Sequence, residues 1–291
     1  MNFEPTYTIA KGPPAVDFAA YASQASNELR SLLRSEPTEA EVQRFLESHP
    51  SIVPGACEPD GWTDATPLHY VLISQPTLPG LKARQPDFMW LTTNSDTWFP
   101  VLIEIERPSK KIFRRNGVPC SDFTQARNQL AQWRTWFGDP VNQSKFQLDY
   151  GIPGLWTRGR AMKLNMILIY GRREEFERDP QLSKQRASLM TGHDERLMSF
   201  DRLKPDPRLS NAITARAVGE GRYRAMQVPP TLRLGPSGVE RLLVIESLEK
   251  AIDSSKGWPH ERSEFVKGRL PYWAAWARGE DKGWISDANR E

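Results

Sequence analysis

The sequence predicts an α/β fold, a mixed central sheet flanked by helices, followed by a C-terminal extension. Three strongly apolar runs have the length and composition of buried strands: PDFMWL (86–91), FPVLIEIE (99–106) and KLNMILIYG (163–171). Amphipathic helical patterns precede and separate these runs. Such alternation of strands and helices is typical of an α/β domain. We expect a lead-in over residues 1–36, the main domain over 37–207 and the extension over 208–291.

Composition limits the classes of protein that fit. The 291 residues are 38% hydrophobic and 26% charged, which suits a globular chain with one sizeable core. A net charge of +3 permits contact with nucleic acid without requiring it. Cys57 and Cys120 form no C-x-x-C pair, so neither a disulfide framework nor a zinc ribbon is indicated. Neither a secretory leader nor an apolar run of about 20 residues is visible, and we expect a cytoplasmic protein without a membrane anchor.

The N-terminal elements are helical. A leucine stripe in YASQASNELRSLL (21–33) indicates a short amphipathic helix. In the next segment, Thr38 can cap a helix with Glu41 three residues later, and an apolar stripe follows before Pro50 ends the pattern. A strand is expected at HYVLI (69–73).

The central elements follow in order. The polar cluster between the first two apolar runs predicts a hairpin turn, so these strands should be adjacent and antiparallel, with Asp87 opening the first. Residues 121–137 carry a helical apolar stripe that begins near Ser121 or Asp122. The third apolar run is expected to be a further buried strand, with a helical segment and the run RLMSFDRL after it.

The extension is expected to contain a strand at RYRAMQV (222–228) and a helix over about 237–254. Its tail, YWAAWARGEDKGW, contains Trp273, Trp276 and Trp284. These tryptophans are plausible contacts between subunits, although helical spacing of this kind is more often simple core packing.

Two carboxylates in the second apolar run raise the functional question. In a strand, Glu104 and Glu106 share one face, because side chains alternate. Mg²⁺ and Mn²⁺ prefer oxygen ligands, and Asp87 on the neighbouring strand could join Glu104 in holding such an ion, with the carbonyl of Ile105 as a third ligand. The alternative is that both glutamates lie on a solvated face and pair with Lys110 and Lys111.

A basic run follows the acidic strand directly. RPSKKIFRR supplies cations without an intervening carboxylate, as expected of a surface that contacts phosphates, although charge runs are commonly plain solvated loops. The residues we expect to bind nucleic acid are Lys110, Lys111, Arg114 and Arg115. Signatures of P-loop NTPases, HExxH metalloproteases and GxSxG hydrolases are absent from the sequence.

Several stretches of the sequence resemble those of a known family and occur in the same order. They are TEAEVQRFLESHPSIV, PDFMWL, VLIEIERPSKKIF, FTQARNQLAQW, MILIYGRREEF and FDRLKPD, and they span about residues 38–207. In these stretches the chain resembles the PD-(D/E)XK nuclease superfamily and, more closely, the Shedu antiphage nuclease family. The resemblance implies a restriction-endonuclease-like fold and a Mg²⁺- or Mn²⁺-dependent DNA endonuclease that assembles as a homo-oligomer.

The resemblance also implies roles for individual residues. Asp87 and Glu104 match the two metal-binding acids, and Gln129 matches a glutamine on the helix beside the site. Glu41, or Glu39, would be the first-helix acid that joins the metal shell. Glu106 stands where the family usually has a lysine.

The lysine orients or activates the attacking water in the family, so its replacement by Glu106 raises two possibilities. Some restriction-type relatives use E-x-E, in which the second acid has a metal-linked or water-orienting role, and Lys110 or Lys111 could reach back to the site. We therefore expect a catalytic set of Asp87, Glu104, Glu106 and Gln129. The alternative is a protein with the same fold that recognises nucleic acid without cutting it.

Overall fold

In the computed structural model, most of the chain can be described. The described residues are 7, 10–58, 62–63, 66–80, 85–177, 179–189, 192–236 and 238–279. They form an α/β fold in which one mixed sheet is flanked by helices, which confirms the predicted fold class. Among these residues, no helix combines the length and the apolar character needed to cross a membrane.

Nine strands make up the sheet in the described part of the chain. They are β1 (Val71–Ser74), β2 (Phe88–Thr93), β3 (Thr97–Ile105), β4 (Ala161–Met162), β5 (Asn165–Ile169), β6 (Glu195–Met198), β7 (Ile213–Gly219), β8 (Arg222–Gln227) and β9 (Ile245–Glu246). Their order across the sheet is β6-β5-β3-β2-β1-β7-β8-β9, and β4 pairs with β3 at its beginning. The strands β3, β5 and β6 run parallel to one another, so their carboxyl ends lie at one edge of the sheet.

The β2–β3 hairpin confirms the prediction of two adjacent antiparallel strands. The side-chain oxygen of Asn94 accepts hydrogen bonds from the amides of Asp96 and Thr97, and this closes the turn. Asp87 immediately precedes β2. The hairpin therefore brings Asp87 level with the end of β3.

Nine α-helices accompany the sheet in the described residues. They are α1 (Phe18–Arg34), α2 (Glu39–Ser48), α3 (Ser121–Phe137), α4 (Pro140–Asp149), α5 (Gly154–Thr157), α6 (Glu174–Glu177), α7 (Pro180–Ala187), α8 (Leu248–Ser254) and α9 (His260–Ala277). The predicted helices at 21–33, after Thr38 and at 121–137 correspond to α1, α2 and α3. In α2 the predicted capping box is present. The Thr38 hydroxyl accepts a hydrogen bond from the Glu41 amide, and the Glu41 carboxylate accepts one from the Thr38 amide.

The two faces of the sheet are covered by different helices. On one face, Leu29 of α1 and Val42 of α2 belong to the same buried cluster as Val101 and Ile103 of β3. On the other face, the apolar side of α3 packs in a cluster that contains Leu102 of β3. Each face buries alternate residues of β3, which is why the run from Val101 to Ile105 is almost continuously apolar.

The C-terminal extension continues the same sheet. Strand β1 pairs in parallel with β7, with Val71 opposite Ile213, and β8 forms a hairpin with β7. The strand predicted at 222–228 corresponds to β8.

The helix predicted over 237–254 is wrong as a single element. In its place the described residues form a 3-10 turn (Val239–Leu243), the short strand β9 and the helix α8. Ser247 adopts a left-handed backbone conformation with φ +63°, and β9 pairs with β8. Pairing with β8 therefore overrides the local helical pattern.

The tryptophans of the tail separate into distinct environments. Trp273 on α9 has no exposed surface, and its ring contacts those of Tyr7 and Trp276. Core packing, rather than a contact between subunits, is thus confirmed for Trp273. Trp276 is partly buried against the same cluster, and Trp284 lies outside the described residues.

Candidate active site

Asp87 is held against the end of β3 by two hydrogen bonds to the backbone of that strand. Its amide donates to the carbonyl of Ile103 at 3.1 Å, and its Oδ2 accepts from the amide of Ile105 at 2.8 Å. These bonds flank Glu104 on the neighbouring strand, and the Glu104 carboxyl group lies near that of Asp87. The first two sequence-predicted acids are therefore brought together.

Glu104 is the most deeply buried carboxyl group of this region, with 8% of its surface exposed. The side chain of Gln129 of α3 lies near its carboxyl group. The Oε2 atom of Glu104 is buried and has no hydrogen-bond partner among the described residues. A buried oxygen without a partner is costly, and in native structures it commonly marks a functional site or an absent ligand.

Glu39, rather than Glu41, is the first-helix acid at this site. Glu39 is the first residue of α2, and its carboxyl group lies near that of Glu106. The carboxylate of Glu41 instead turns back to Thr38, accepting from its amide at 2.8 Å and from its hydroxyl at 2.7 Å. The capping box thus removes Glu41 from the candidate ligands, and Glu39 takes its place.

Burial and mutual repulsion raise the pKa values of three of these carboxyl groups. The pKa of Asp87 rises to about 7 because the group is buried and lies near Glu39 and Glu106, although the Ile105 amide opposes the shift. The pKa of Glu104 is well above its usual range because of burial and the charges of Asp87, Glu106 and Glu39. Burial and Glu106 also raise the pKa of Glu39. The cluster therefore retains protons or attracts cations.

Lys110 supplies a positive charge beside the cluster. A turn in which the Lys110 amide donates to the Arg107 carbonyl brings the side chain back toward the end of β3. Its Nζ lies 2.6 Å from Oε2 of Glu106 and 3.4 Å from Oδ2 of Asp122. Partial burial lowers the pKa of Lys110, but these two carboxylates outweigh it, and the net shift is upward. Lys110 thus contacts Glu106, the acid at the position where the resemblance implies a lysine.

The alternative, in which Glu104 and Glu106 both pair with lysines, is therefore right for Glu106 only. Glu106 is paired with Lys110. Glu104 is buried and faces Asp87 and Gln129 instead.

The remaining basic residues lie in the loop before α3. Lys111, Arg114 and Arg115 are exposed. The backbone of the loop is fixed, because the carboxylate of Glu175 accepts hydrogen bonds from the amides of Ile112 and Phe113. Their role in binding nucleic acid stays a prediction.

The donor set suits a magnesium-type ion. Among the described residues, no group of three or more His, Cys, Asp and Glu side chains is arranged to hold a metal. A Mg²⁺ ion, however, is usually held by one or two carboxylates, with water and substrate phosphate completing its shell. Asp87 and Glu104 are such a pair, and the partnerless Oε2 of Glu104 provides an oxygen for the ion.

Two further side chains near the site were not anticipated from the sequence. Asp122 contacts Lys110, and Nε2 of Gln43 lies 3.4 Å from the carbonyl of Asp87. Gln43 is four residues after Glu39, one turn along the same face of α2. That spacing is the signal that could have identified Gln43.

One comparison with known proteins identifies the family of the chain. The family described as Shedu protein SduA, C-terminal, matches residues 36–203, more than half of the chain. The matched range contains every residue of the site described above. No curated protein matches the chain.

Proposed function

The chain belongs to the Shedu SduA family, and from this premise we propose that it is a Mg²⁺- or Mn²⁺-dependent DNA endonuclease of antiphage defence. Its reaction would be hydrolysis of phosphodiester bonds. The proposal rests on the neighbouring acids Asp87 and Glu104. The Ile105 amide donates to Asp87 and holds it beside Glu104, whose buried Oε2 has no hydrogen-bond partner among the described residues.

The charges at the site support a cation-dependent reaction. Glu39, Asp87, Glu104 and Glu106 lie together, and Lys110 is the cation that contacts them directly among the described residues. Like charges held close in a poorly solvated place cannot all ionise unless a counter-charge is present. A divalent cation would supply that charge.

Each residue then has a distinct task. Asp87 and Glu104 would hold the metal, with Glu39 as the third acid. Gln129 would orient the Glu104 carboxyl group through its amide. When bound, the metal supplies Lewis-acid charge and lowers the pKa of a coordinated water.

The pair formed by Glu106 and Lys110 would substitute for the missing lysine. Glu106 can accept the proton that the attacking water loses as its oxygen bonds to phosphorus and the bond from phosphorus to the leaving sugar oxygen breaks. Lys110 is positioned to offer positive charge near the phosphate, since its Nζ lies 2.6 Å from the Glu106 carboxylate.

DNA would be held near the site by the basic loop. Lys111, Arg114 and Arg115 are exposed directly after the acidic strand, and the Glu175 carboxylate fixes the backbone of this loop. Exposed cations on a fixed backbone suit contact with phosphates. We further propose that the chain acts as a homo-oligomer, as the resemblance implies.

The replacement of the usual lysine by Glu106 favours a second candidate function. In that case the chain would bind nucleic acid as a sensor or scaffold without cutting it. Both candidates predict DNA binding, and only the first predicts a product.

Incubation of the full-length protein with supercoiled plasmid and Mg²⁺ or Mn²⁺ would separate the two. We expect nicked or linear DNA, and we expect a chelator or Glu104→Ala to abolish it. Plasmid that stays intact in every lane while DNA is still bound would reject the endonuclease in favour of the non-cutting protein. Lys250→Ala, on the far side of the sheet, is a control for general loss of charge.

A further inference from the structure

A basic groove lies at the same edge of the sheet as the acidic site. It has a volume of about 440 Å³ and is lined by the C-terminal half of α1 and by the segments that follow β5 and β6. Four cationic residues line it, with Asp201 as the single carboxylate. They are Arg30, Arg34, Arg172 and Lys204.

Three of these cations are unpaired. Arg30, Arg34 and Lys204 are exposed, and they take part in no ion pair within the part of the chain that the structure describes. Arg30 and Arg34 are four residues apart on α1, so their side chains lie on one face. Unpaired cations held together repel one another, and a polyanion would relieve this repulsion.

Arg172 is fixed and forms the link to the candidate active site. It contacts Asp201 at 2.8 Å and donates to the Leu33 carbonyl at 3.1 Å. It also lines the adjoining cavity, of about 410 Å³, together with Lys110 and Lys111. Because Lys110 contacts Glu106 and shares this cavity with Arg172, the cavity connects the acidic site to the groove.

The fold explains this continuity. Glu104, Arg172 and Lys204 lie at or beyond the carboxyl ends of β3, β5 and β6, which are adjacent and parallel. Ligands of α/β sheets bind outside the carboxyl ends of such strands. The groove thus occupies the place through which a long substrate of the acidic site would extend.

Opposing charges limit the path. Glu174, Glu175 and Glu177 also line the adjoining cavity. The Glu175 carboxylate is occupied by the amides of Ile112 and Phe113. Phosphates would therefore pass along the side formed by Lys110 and Arg172.

We propose that Arg30, Arg34, Arg172 and Lys204 bind the phosphate backbone of duplex DNA beyond the bond that is cut. This inference rests on the proposed function, because it takes the same DNA to be the substrate of the acidic site. The groove extends the DNA contact surface well past the loop of residues 110–115.

The test is binding of the full-length protein to a duplex of about three helical turns, in chelator, over a series of salt concentrations. The groove variant carries Arg30→Gln, Arg34→Gln and Lys204→Gln. The matched control carries Arg222→Gln, Arg224→Gln and Lys250→Gln, three exposed cations at the β8–β9 side of the sheet. Thermal unfolding confirms that both variants fold, and the single variant Lys204→Gln serves if the triple variant does not.

We expect the groove variant to bind at least about tenfold more weakly, with the slope of log K against log salt reduced by about 0.9 for each phosphate that the protein no longer neutralises. The control should keep the wild-type slope. An unchanged affinity and slope in the groove variant would overturn the proposal. Capture of a poly-glutamate peptide by the groove, with DNA binding unaffected, would also overturn it and would indicate an acidic protein partner.

A parallel plasmid cleavage assay separates this inference from the proposed function. If the wild-type protein does not cut DNA but the groove variant still loses DNA binding, the proposed endonuclease activity is rejected and the proposed role of the groove is supported. If the wild-type protein cuts DNA and the groove variant binds DNA normally, only the proposed role of the groove is rejected.

Discussion

The Oδ2 atom of Asp87 accepts a 2.8 Å hydrogen bond from the amide of Ile105, the residue directly after Glu104. This bond fixes two acidic residues from different strands without using the carboxyl group of Glu104. It also keeps Asp87 in place when neighbouring charges repel it. The site should therefore respond to pH, to divalent cations and to substitution in ways that depend on this bond and on the charges around it.

Divalent cations should stabilise the protein more at high pH than at low pH. Because the pKa of folded Asp87 is raised to about 7, the folded protein loses stability as pH rises from about 4 through about 7. Bound Mg²⁺ or Mn²⁺ would replace the charge of the protons that dissociate. The melting temperature should therefore rise on addition of either ion near pH 8 and much less near pH 5. An equal increase at both values would contradict a carboxylate site.

Replacement of Glu104 by glutamine should stabilise the protein when no metal is present. The pKa of Glu104 is well above its usual range, so the folded protein holds a proton that the unfolded chain releases, and this difference opposes folding as pH rises. We expect Glu104→Gln to raise the free energy of unfolding by about 1 kcal/mol or more near pH 8, with a smaller effect near pH 5. Denaturant unfolding measures this. Glu220→Gln, at a side chain that is 90% exposed, should change little.

Glu39 and Glu41 should respond differently to the same substitution. Glu39→Gln removes an acid beside Glu106, so the rate of DNA cleavage should fall about tenfold or more. Glu41→Gln keeps a group that can accept the Thr38 bonds and should cost less than about 1 kcal/mol of stability. A larger loss of cleavage in Glu41→Gln than in Glu39→Gln would refute the assignment.

Lys110 and Lys111 should affect different kinetic constants. Lys110 contacts Glu106, so Lys110→Ala should lower kcat by about 10²-fold. Lys111 is exposed and makes no comparable contact among the described side chains, so Lys111→Ala should act mainly on KM for DNA. Steady-state cleavage of a labelled duplex separates these effects. Equal losses of kcat in both variants would argue against a specific role for Lys110.

Trp273 should be important for stability rather than for assembly. Its ring is fully buried, so Trp273→Ala should cost about 3–5 kcal/mol of unfolding free energy. Trp276 is only partly buried, and Trp276→Ala should cost less. Sedimentation at matched concentrations reports the oligomeric state. Normal stability of Trp273→Ala with a changed oligomeric state would reverse the interpretation.

Local signals made much of the fold predictable. The capping box at Thr38 and Glu41 is decided within one helical turn, and the polar cluster around Asn94 decides the β2–β3 hairpin. The pairing of β1 with β7 is different, because it joins Val71 to Ile213, which lie about half the chain length apart in the sequence. No local pattern encodes such a pairing.

The candidate site was predictable in its strand residues and less so in its helix residues. Asp87 and Glu104 follow from the alternation along two paired strands. The choice between Glu39 and Glu41 depends on which carboxylate the helix end itself uses, and the sequence alone left it open. The contact between Lys110 and Glu106 depends on the turn at Arg107, whose geometry the basic run does not specify.

The continuous sheet has a consequence for shortening the chain. Strand β1 is an interior strand because β7, which lies beyond residue 203, covers one side of it. Cutting the chain at the end of the family match would leave the amides and carbonyls of β1 without partners along that side. An uncovered, apolar β1 invites pairing with another molecule. The last third of the chain thus shields β1 from other molecules, and we expect a fragment trimmed to the family match to aggregate.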